Sequence, residues 1–573
     1  MTTFVSDLPG IYSAAQAGKA QRKAQRFARP LVRLWDGNWV LRGVCGAEIS
    51  ADFHWTLNDT GVGILVLPYD YYLAQWAMDI YGDDPRTGRT TQNIHITVDK
   101  DGARWDGRLE KAVLRTDDQG VTTVELSFLH SYEELKHIIC WSNPFLVDAV
   151  QFPREFMLAG PSIWVLKTAL MMNLLRLQGS SWAVPSDPMD SSQWGNLDMS
   201  QWPIVIKPTT YAADNLVSVW TIFGSRFKNW HDCAAGTLQT AELMVQTRRW
   251  LQGDPLPWPG ANLRSGCLVV DIVDKSGFTA GQTSQRHDVW SGLAPMWETY
   301  QKNADGKFYD QVALPLPDPN APDLYKKPGY LGTLPTNPWV VYRQNDHCGI
   351  QTSQFIVQPS NAVQVVTGGH SAPGVNEAIS SAVQFVGFLL GGILGEAPYI
   401  GPILSAVTEG AFEVINTIVM ALFTDTLLAW QSHYDSDRAA ASGWSHYFEH
   451  FETSADRAYT LGALLSMGEG MWKTRTHHTH KLTVANGQPY LIGDAGQGHF
   501  FLGDRVGSTV KGMPAGKIYV DQVTELELAW SRNASPQWQI TLGTDKDHDM
   551  PFAQSMRVMA DIVDEIMSLA VQM

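Results

Sequence analysis

Histidine, glutamate and histidine fall at His446, Glu449 and His450, an HxxEH pattern. On a helix the two imidazoles would sit one turn apart and could share a zinc ion, with Glu449 as the base activating a bound water. The chemistry would be metal-assisted hydrolysis, and it needs a third ligand that the sequence does not identify. Sixteen histidines in 573 residues make such a coincidence ordinary. Two histidines on a solvated helix is the expected reading. His477, His478 and His480 cluster after Arg475, where a polar junction explains them more simply than a metal. Asp346-His347-Cys348 sets an imidazole beside a thiol, yet neighbours on a strand point to opposite faces. Asn533-Ala534-Ser535 matches a glycosylation sequon, which has no consequence in a protein that is not exported. Gly493, Gly496 and Gly498 form a Gly-rich turn outside any βαβ setting, and neither GxxxxGK nor GxSxG occurs.

The elements that carry these residues make several units. At roughly 150 residues per domain the chain holds about three or four. The net charge of -16 excludes broad phosphate-backbone binding, and no specific nucleic-acid binding is expected. Cys45, Cys140, Cys233, Cys267 and Cys348 are odd in number, with no CxxC pair. They read as reduced cysteines of a protein made in cytoplasm. No apolar signal core opens the chain, so signal-peptide export is not expected.

Residues 1–30 form a basic arm with Lys19, Arg22, Lys23, Arg26 and Arg29, a solvated helix or an arm docking on an acidic neighbour. Residues 31–144 read as a small β unit. Phe53, Trp55 and Leu57 alternate before the Asn58–Gly61 turn, and helices are expected over 71–81 and 132–139. Residues 145–300 are mixed α/β, with helices expected over 162–178 and about 238–251 and a strand over 267–273. Ser180–Pro208 is a Trp-rich loop. Residues 301–373 are a linker followed by strands. Residues 374–475 hold an apolar insert, with a polar helical stretch over 435–472. Residues 476–550 return to β, and 551–573 form a C-terminal helix. The fold class is therefore α+β and β-rich: two small barrels, a mixed middle domain and a helical-hairpin insert.

The β unit at the start carries a recognisable run. Gly46-Ala47-Glu48 opens it, followed by Asn58-x-x-Gly61, Leu65-Val66-Leu67-Pro68 and Trp105-Asp106-Gly107-Arg108-Leu109, and Asn143-Pro144 closes it. Val273-Asp274-Lys275-Ser276-Gly277, Leu502-Gly503-Asp504-Arg505-Val506 and Thr541-Leu542-Gly543 agree further on. In this order the motifs resemble siphophage tail-tip baseplate hub proteins, known in actinobacterial phages as minor tail proteins. The resemblance implies tail-tube-like barrels at both ends of the chain. It also implies a homotrimer whose two barrels per subunit make a six-fold ring at the virion tail tip. The implied partners are the distal tail protein, the tape measure protein and fibre or tip proteins. The implied role is to close the tube and open it for genome ejection. The chain would have no catalytic centre, cofactor or metal.

The insert is not carried by the resemblance. Ala378–Gly395 contains no charged residue. As a helix it would span about 27 Å, slightly short of a hydrocarbon core of about 30 Å. Gly387, Gly391 and Gly395 recur every fourth residue, among Phe385, Phe388, Leu389, Ile393 and Leu394. Such spacing lets helices approach closely. The hairpin is expected to plug the ring axis among its own copies, to enter the host membrane, or to be plain core. The last helix carries a stripe of Met556, Met559, Val563 and Ile566, continued by Ala570 and Met573, suited to a coiled-coil seam or to packing on its own domain. Two other classes stay open: a zinc peptidase using His446, Glu449 and His450, and a carbohydrate-binding module using aromatics such as the Trp194–Trp202 loop.

Overall fold

The computed structural model describes residues 8–152, 156–276, 323–369, 429–452 and 470–543. Breaks fall at 180–183, 196, 215–217, 219, 326, 328–329, 336–337, 345–348, 472–473, 475–476, 510 and 513–518. The chain is β-rich with a minority of helix, and it divides into two compact units. One is 1–356 with 479–545; the other is 357–478 with 546–573.

The first unit opens with α1 (Leu8–Phe27). The last turn of this basic helix is held by its own chain. Lys100 Nζ donates to the carbonyls of Gln25 and Ala28, both at 3.0 Å. Arg26 donates to those of Pro489 and Tyr490, at 2.7 and 2.8 Å. A cation at a helix C-terminus satisfies carbonyls that have no partner inside the helix.

Next come β1 (Leu31–Asp36), β2 (Leu41–Cys45), β3 (Ser50–Thr56), β4 (Val62–Pro68), α2 (Tyr72–Met78), β5 (Ile94–Lys100), β6 (Ala103–Thr116) and β7 (Thr122–His130), then the single turn α3 (Glu133–Lys136). The period-2 pattern places Phe53, Trp55, Leu65 and Leu67 in the core and leaves the intervening residues outside. Asn58 and Asp101 turn the chain with φ of 53° and 49°, a region Asn and Asp tolerate.

The middle domain contains β8 (Ile139–Cys140), β9 (Phe156–Pro161), α4 (Ser162–Gln178), β10 (Ile204–Ile206), α5 (Tyr211–Asp214), β11 (Trp220–Ser225), β12 (Lys228–Asn229), α6 (Trp230–Thr240), β13 (Leu243–Arg249) and β14 (Leu268–Asp274). Helix α4 is apolar on nearly every side and is buried as its domain's centre. The helix expected over 238–251 is corrected. Glu242 takes φ 47°, which ends α6, and Leu243–Arg249 pairs residue for residue with Leu268–Asp274. That ladder satisfies the backbone groups facing β14, and on the free edge the side chains of Asn58 and Asp106 take up the Leu243 carbonyl and the Val245 and Arg249 N–H groups.

After β15 (Val341–Tyr342) and β16 (Ile350–Gln358) the chain enters the second unit. This holds β17 (Gln364–Gly368), β18 (Trp430–Tyr434), α7 (Ser436–Ser442) and β19 (Glu449–Glu452). The polar helical stretch expected over 435–472 is corrected over 443–452, and its residues 453–469 lie outside the described residues. Asp435 caps α7 by accepting from the Arg438 N–H at 2.9 Å, Gly443 stops it at φ 82°, and the chain is a strand by Glu449. The final strands are β20 (His477–Val484), β21 (Arg505–Ser508), β22 (Tyr519–Ser531) and β23 (Ala534–Leu542).

The two expected barrels are replaced by one sheet. Its order is β16-β20-β23-β22-β3-β4-β7-β6-β5-β1-β2, with β21 on β22 and β15 on β21, thirteen strands in all. Strand β22 pairs antiparallel with β3, from Glu525↔Thr56 to Ser531↔Ser50. Each β unit would otherwise leave that edge unpaired, and joining the edges removes both sets of exposed backbone groups. There is no closed barrel among the described residues. A single core lies under the sheet and draws Phe53, Trp105, Leu526, Trp530 and Trp538 from both ends of the sequence.

Candidate functional site

The residues that carry the family-like motifs lie at the joints between modules. Asn58 acts as a clasp on the middle domain. Its Nδ2 donates to the Leu243 carbonyl at 2.7 Å, and its Oδ1 accepts from the Val245 N–H at 2.8 Å. Asp106 accepts from the Arg249 N–H at 3.0 Å. The Arg249 side chain is 2% exposed and pairs with Glu134. It also donates to Ser131 Oγ at 3.3 Å and to the Gly266 carbonyl at 3.0 Å. The guanidinium carbon lies 4.9 Å from the centre of the Trp39 ring. Lys275 Nζ meets Asp504 Oδ1 at 2.6 Å, tying the end of β14 to the last β module.

Glu48 is a third joint. Its buried carboxylate accepts from Trp530 Nε1 at 3.1 Å and from Arg29 Nη1 at 3.3 Å. One group therefore links the end of α1, the turn before β3 and strand β22. Burial pushes the nearby Cys45 thiol up to about 12, so it stays an unreactive thiol. Cys140, Cys233 and Cys267 are likewise unbridged.

The outer face of the sheet across the β3–β22 seam is polar. Asp52 and His54 of β3 stand beside Glu525 and Glu527 of β22. His54 bridges two carboxylates, Nε2 to Asp52 at 3.3 Å and Nδ1 to Glu525 at 3.2 Å. Those hydrogen bonds raise its pKa to about 10 and hold Glu525 below its ordinary value. Asp52, His54 and Glu527 offer ligand atoms within 4.8 Å of one another, and the two carboxylates that face the ring favour its charged form. The arrangement is a cation tying two strands.

A pH dependence follows from that bridge. The folded state holds the His54 proton more tightly than the unfolded chain does. Its contribution is complete below about 6.5, the unfolded value, and is lost as pH rises toward about 10. Glu525 works in the other direction: its contribution is present above the ordinary carboxylate range and is lost as pH falls. His54→Gln is expected to flatten the alkaline limb of a melting-temperature profile between neutral pH and 10, by about 1 kcal/mol or less because the pair is partly screened. A variant whose alkaline limb matches the wild type would sink the assignment.

The expected site residues fall as follows. The HxxEH residues are not on a helix: Glu449 and His450 begin β19, where neighbours alternate faces. His446 Nδ1 instead lies 2.6 Å from the Gly443 carbonyl, and His450 Nε2 lies 3.5 Å from Glu452. His446 and His450 have therefore lost the one-turn spacing that zinc sharing required. His480 is buried between Ser353 Oγ at 2.9 Å and Ser508 Oγ at 2.7 Å. Trp194 and Trp202 pack into the middle-domain core, Trp194 edge-on to Trp258. The hairpin residues Phe385, Gly387, Phe388, Leu389, Gly391, Ile393, Leu394 and Gly395 lie outside the described residues. So do Met556, Met559, Val563 and Ile566 of the C-terminal stripe. The joint residues Arg249 and Glu48 and the His54 bridge were not singled out as sites. Gly46-Ala47-Glu48 and Asp106 were visible only as motif members.

Joints of this kind and a sheet shared by both ends of the chain define a structural scaffold. Residues 31–544 match the model of the Siphovirus ReqiPepy6 Gp37-like protein family, and the chain belongs to that family. It is a phage tail structural protein. Minor tail protein Gp28 of Mycobacterium phage L5 is 31% identical over 576 residues, spanning 94% of this chain and 95% of the relative. Its counterpart in Mycobacterium phage D29 is also 31% identical, over 581 residues with the same coverage. Among solved structures, a tail protein from Neisseria meningitidis MC58 aligns at TM-score 0.38 and 11% identity, over 92% of this chain and 99% of that one. The 43 kDa tail protein of prophage MuSo2 from Shewanella oneidensis aligns at 0.37 and 10%, over 91% and 99%.

Proposed function

We propose that the chain is the hub of the tail tip. It forms a homotrimeric ring that caps the tail tube, anchors fibre or tip proteins, and opens for genome ejection. One observation carries the reading: the β modules from the two ends of the sequence join edge to edge through β3 and β22. A subunit with two such modules lets three copies present six, the number a hexameric tube requires. The acidic outer face at Asp52, Glu525 and Glu527 suits a passage to which DNA does not adhere. The tape measure and distal tail proteins would be its neighbours above. The insert between β17 and β18 would serve as the axial plug and then as a membrane-directed element during delivery.

The assembled mass tests this. Mass photometry of the purified protein is expected to give three times the 63.5 kDa of one chain, and class averages should show a closed three-fold ring. A monomer at all concentrations, or a ring of six, would overturn it.

A further inference from the structure

The small sheet of the second unit buries the centre of one face and presents a group of aromatic rings on the other. Register places Gln364, Val366 and Gly368 of β17 on the same side as Trp430, Ser432 and Tyr434 of β18 and as Glu449 and Phe451 of β19. On the opposite side Val365, Thr367 and Glu452 are buried, while His433 on the outer strand is exposed. On the aromatic side Trp430 is 52% exposed, Tyr434 54% and Phe451 48%. The Trp430 and Phe451 rings, on the two strands that flank β17, meet at 5.7 Å. Tyr447, which continues the β19 alternation, is 74% exposed. Polar residues at this face are Gln364, Ser432 and the single charged group Glu449.

Trp and Tyr at a surface are the residues of a water–hydrocarbon boundary, because their rings are apolar and their N–H or O–H groups stay wet. What lies beyond the face sets the choice of occupant. The chain leaves the sheet after Gly368 and returns at Trp430. Gly368 and Trp430 are register partners, and the Gly369 N–H donates to the Ala429 carbonyl at 3.0 Å. The departing segment thus begins and ends together at one end of this sheet, next to Trp430, and it contains the uncharged Ala378–Gly395 stretch.

We infer that the Trp430, Tyr434, Val366 and Phe451 face is a bilayer-interface platform, the collar on which the protein rests at the lipid headgroups. This rests on the reading of the insert as a membrane-directed element. The platform presents no lysine or arginine among the residues named, so its attraction is apolar. Partition should therefore depend weakly on salt and on the anionic lipid fraction.

Cosedimentation of full-length protein with phosphatidylcholine vesicles, with and without phosphatidylglycerol, tests the platform. The triple variant Trp430→Ser, Tyr434→Ser, Phe451→Ser is expected to bind at least about tenfold more weakly, given the area of three aromatic rings. Its melting temperature should change little beside the loss of binding, because about half of each side chain is already exposed. A second full-length variant, Leu389→Lys with Ile393→Lys, probes the insert separately. Weakening in the face variant, with or without weakening in the insert variant, supports the platform. Weakening in the insert variant alone overturns the platform and keeps the membrane-directed insert. No vesicle binding by the wild type overturns both, and leaves the ring measurement to decide the hub. Binding that follows host cell-wall glycan, or self-association lost in the face variant without vesicle binding, also overturns the platform and makes the face a sugar or subunit contact.

Discussion

Replacing Arg249 by methionine is expected to lower the first unfolding transition by roughly 3–4 °C, the equivalent of about 3 kcal/mol in a unit as large as the first. The guanidinium is 2% exposed and serves three segments at once: Glu134 and Ser131 near α3, Gly266 before β14, and Trp39 between β1 and β2. Trp39 in turn stacks on His95 at 4.5 Å. Gly266 has φ 93°, and a Cβ there would sit 2.1 Å from the Trp39 ring, so the backbone is fitted to this stack. Methionine keeps most of the volume but leaves the Glu134 carboxylate without its cation. The added change Glu134→Gln should recover part of the loss, because the orphaned charge is then gone. Calorimetry on the single and double variants reads both effects. A single variant that melts within about 1 °C of the wild type would show that the joint does not depend on the charge.

Much of the local structure was legible. Alternation at Phe53 and Trp55 marked β3, and the apolar run from Ser162 to Gln178 gave α4 within its observed limits, because these elements are set by which side chains must be buried. The failures share a cause. Leu243–Arg249 has residues that suit a helix, and only its partner β14, together with Glu242 in a left-handed conformation, makes it a strand. His446–His450 has helical ligand spacing, but its last two residues pair with β17, whose edge recruits Glu449–Glu452 as a parallel strand. Periodicity reports the buried face of an element and not its neighbour.

The same limit hid the assembly of the sheet. Nothing local in residues 50–56 names residues 525–531 as their partners. The aromatic platform was equally hidden, since Trp430 and Phe451 are brought together only by β17 between them. Motif order, by contrast, carried real information about the joints. Asn58, Asp106, Lys275 and Asp504, each quoted as part of a short motif, all hold one module to the next.

The second large effect is expected at the seam. Phe53→Ala should destabilise the first unit by about 3–5 kcal/mol, the usual cost of emptying a fully buried aromatic site. Phe53 has no exposed surface. Its ring packs on Trp105 at 4.9 Å and on Trp530 at 5.6 Å, one from each end of the chain. Its register partners are Gly63 on β4 and Leu528 on β22. A Cβ at Gly63 would lie 2.5 Å from the Phe53 ring, so neighbouring backbone cannot fill the cavity without moving. Phe53→Leu, which keeps part of the volume, should cost less. The sharper readout is hydrogen exchange. Because β3 and β22 belong to one sheet over one core, amides of β3–β4 and of β22–β23 should lose protection together in Phe53→Ala. Acceleration confined to β3–β4, with β22–β23 unchanged, would mean that the two β modules are stable independently. The edge-to-edge joint would then be a contact between neighbours and not the structural seam of the subunit.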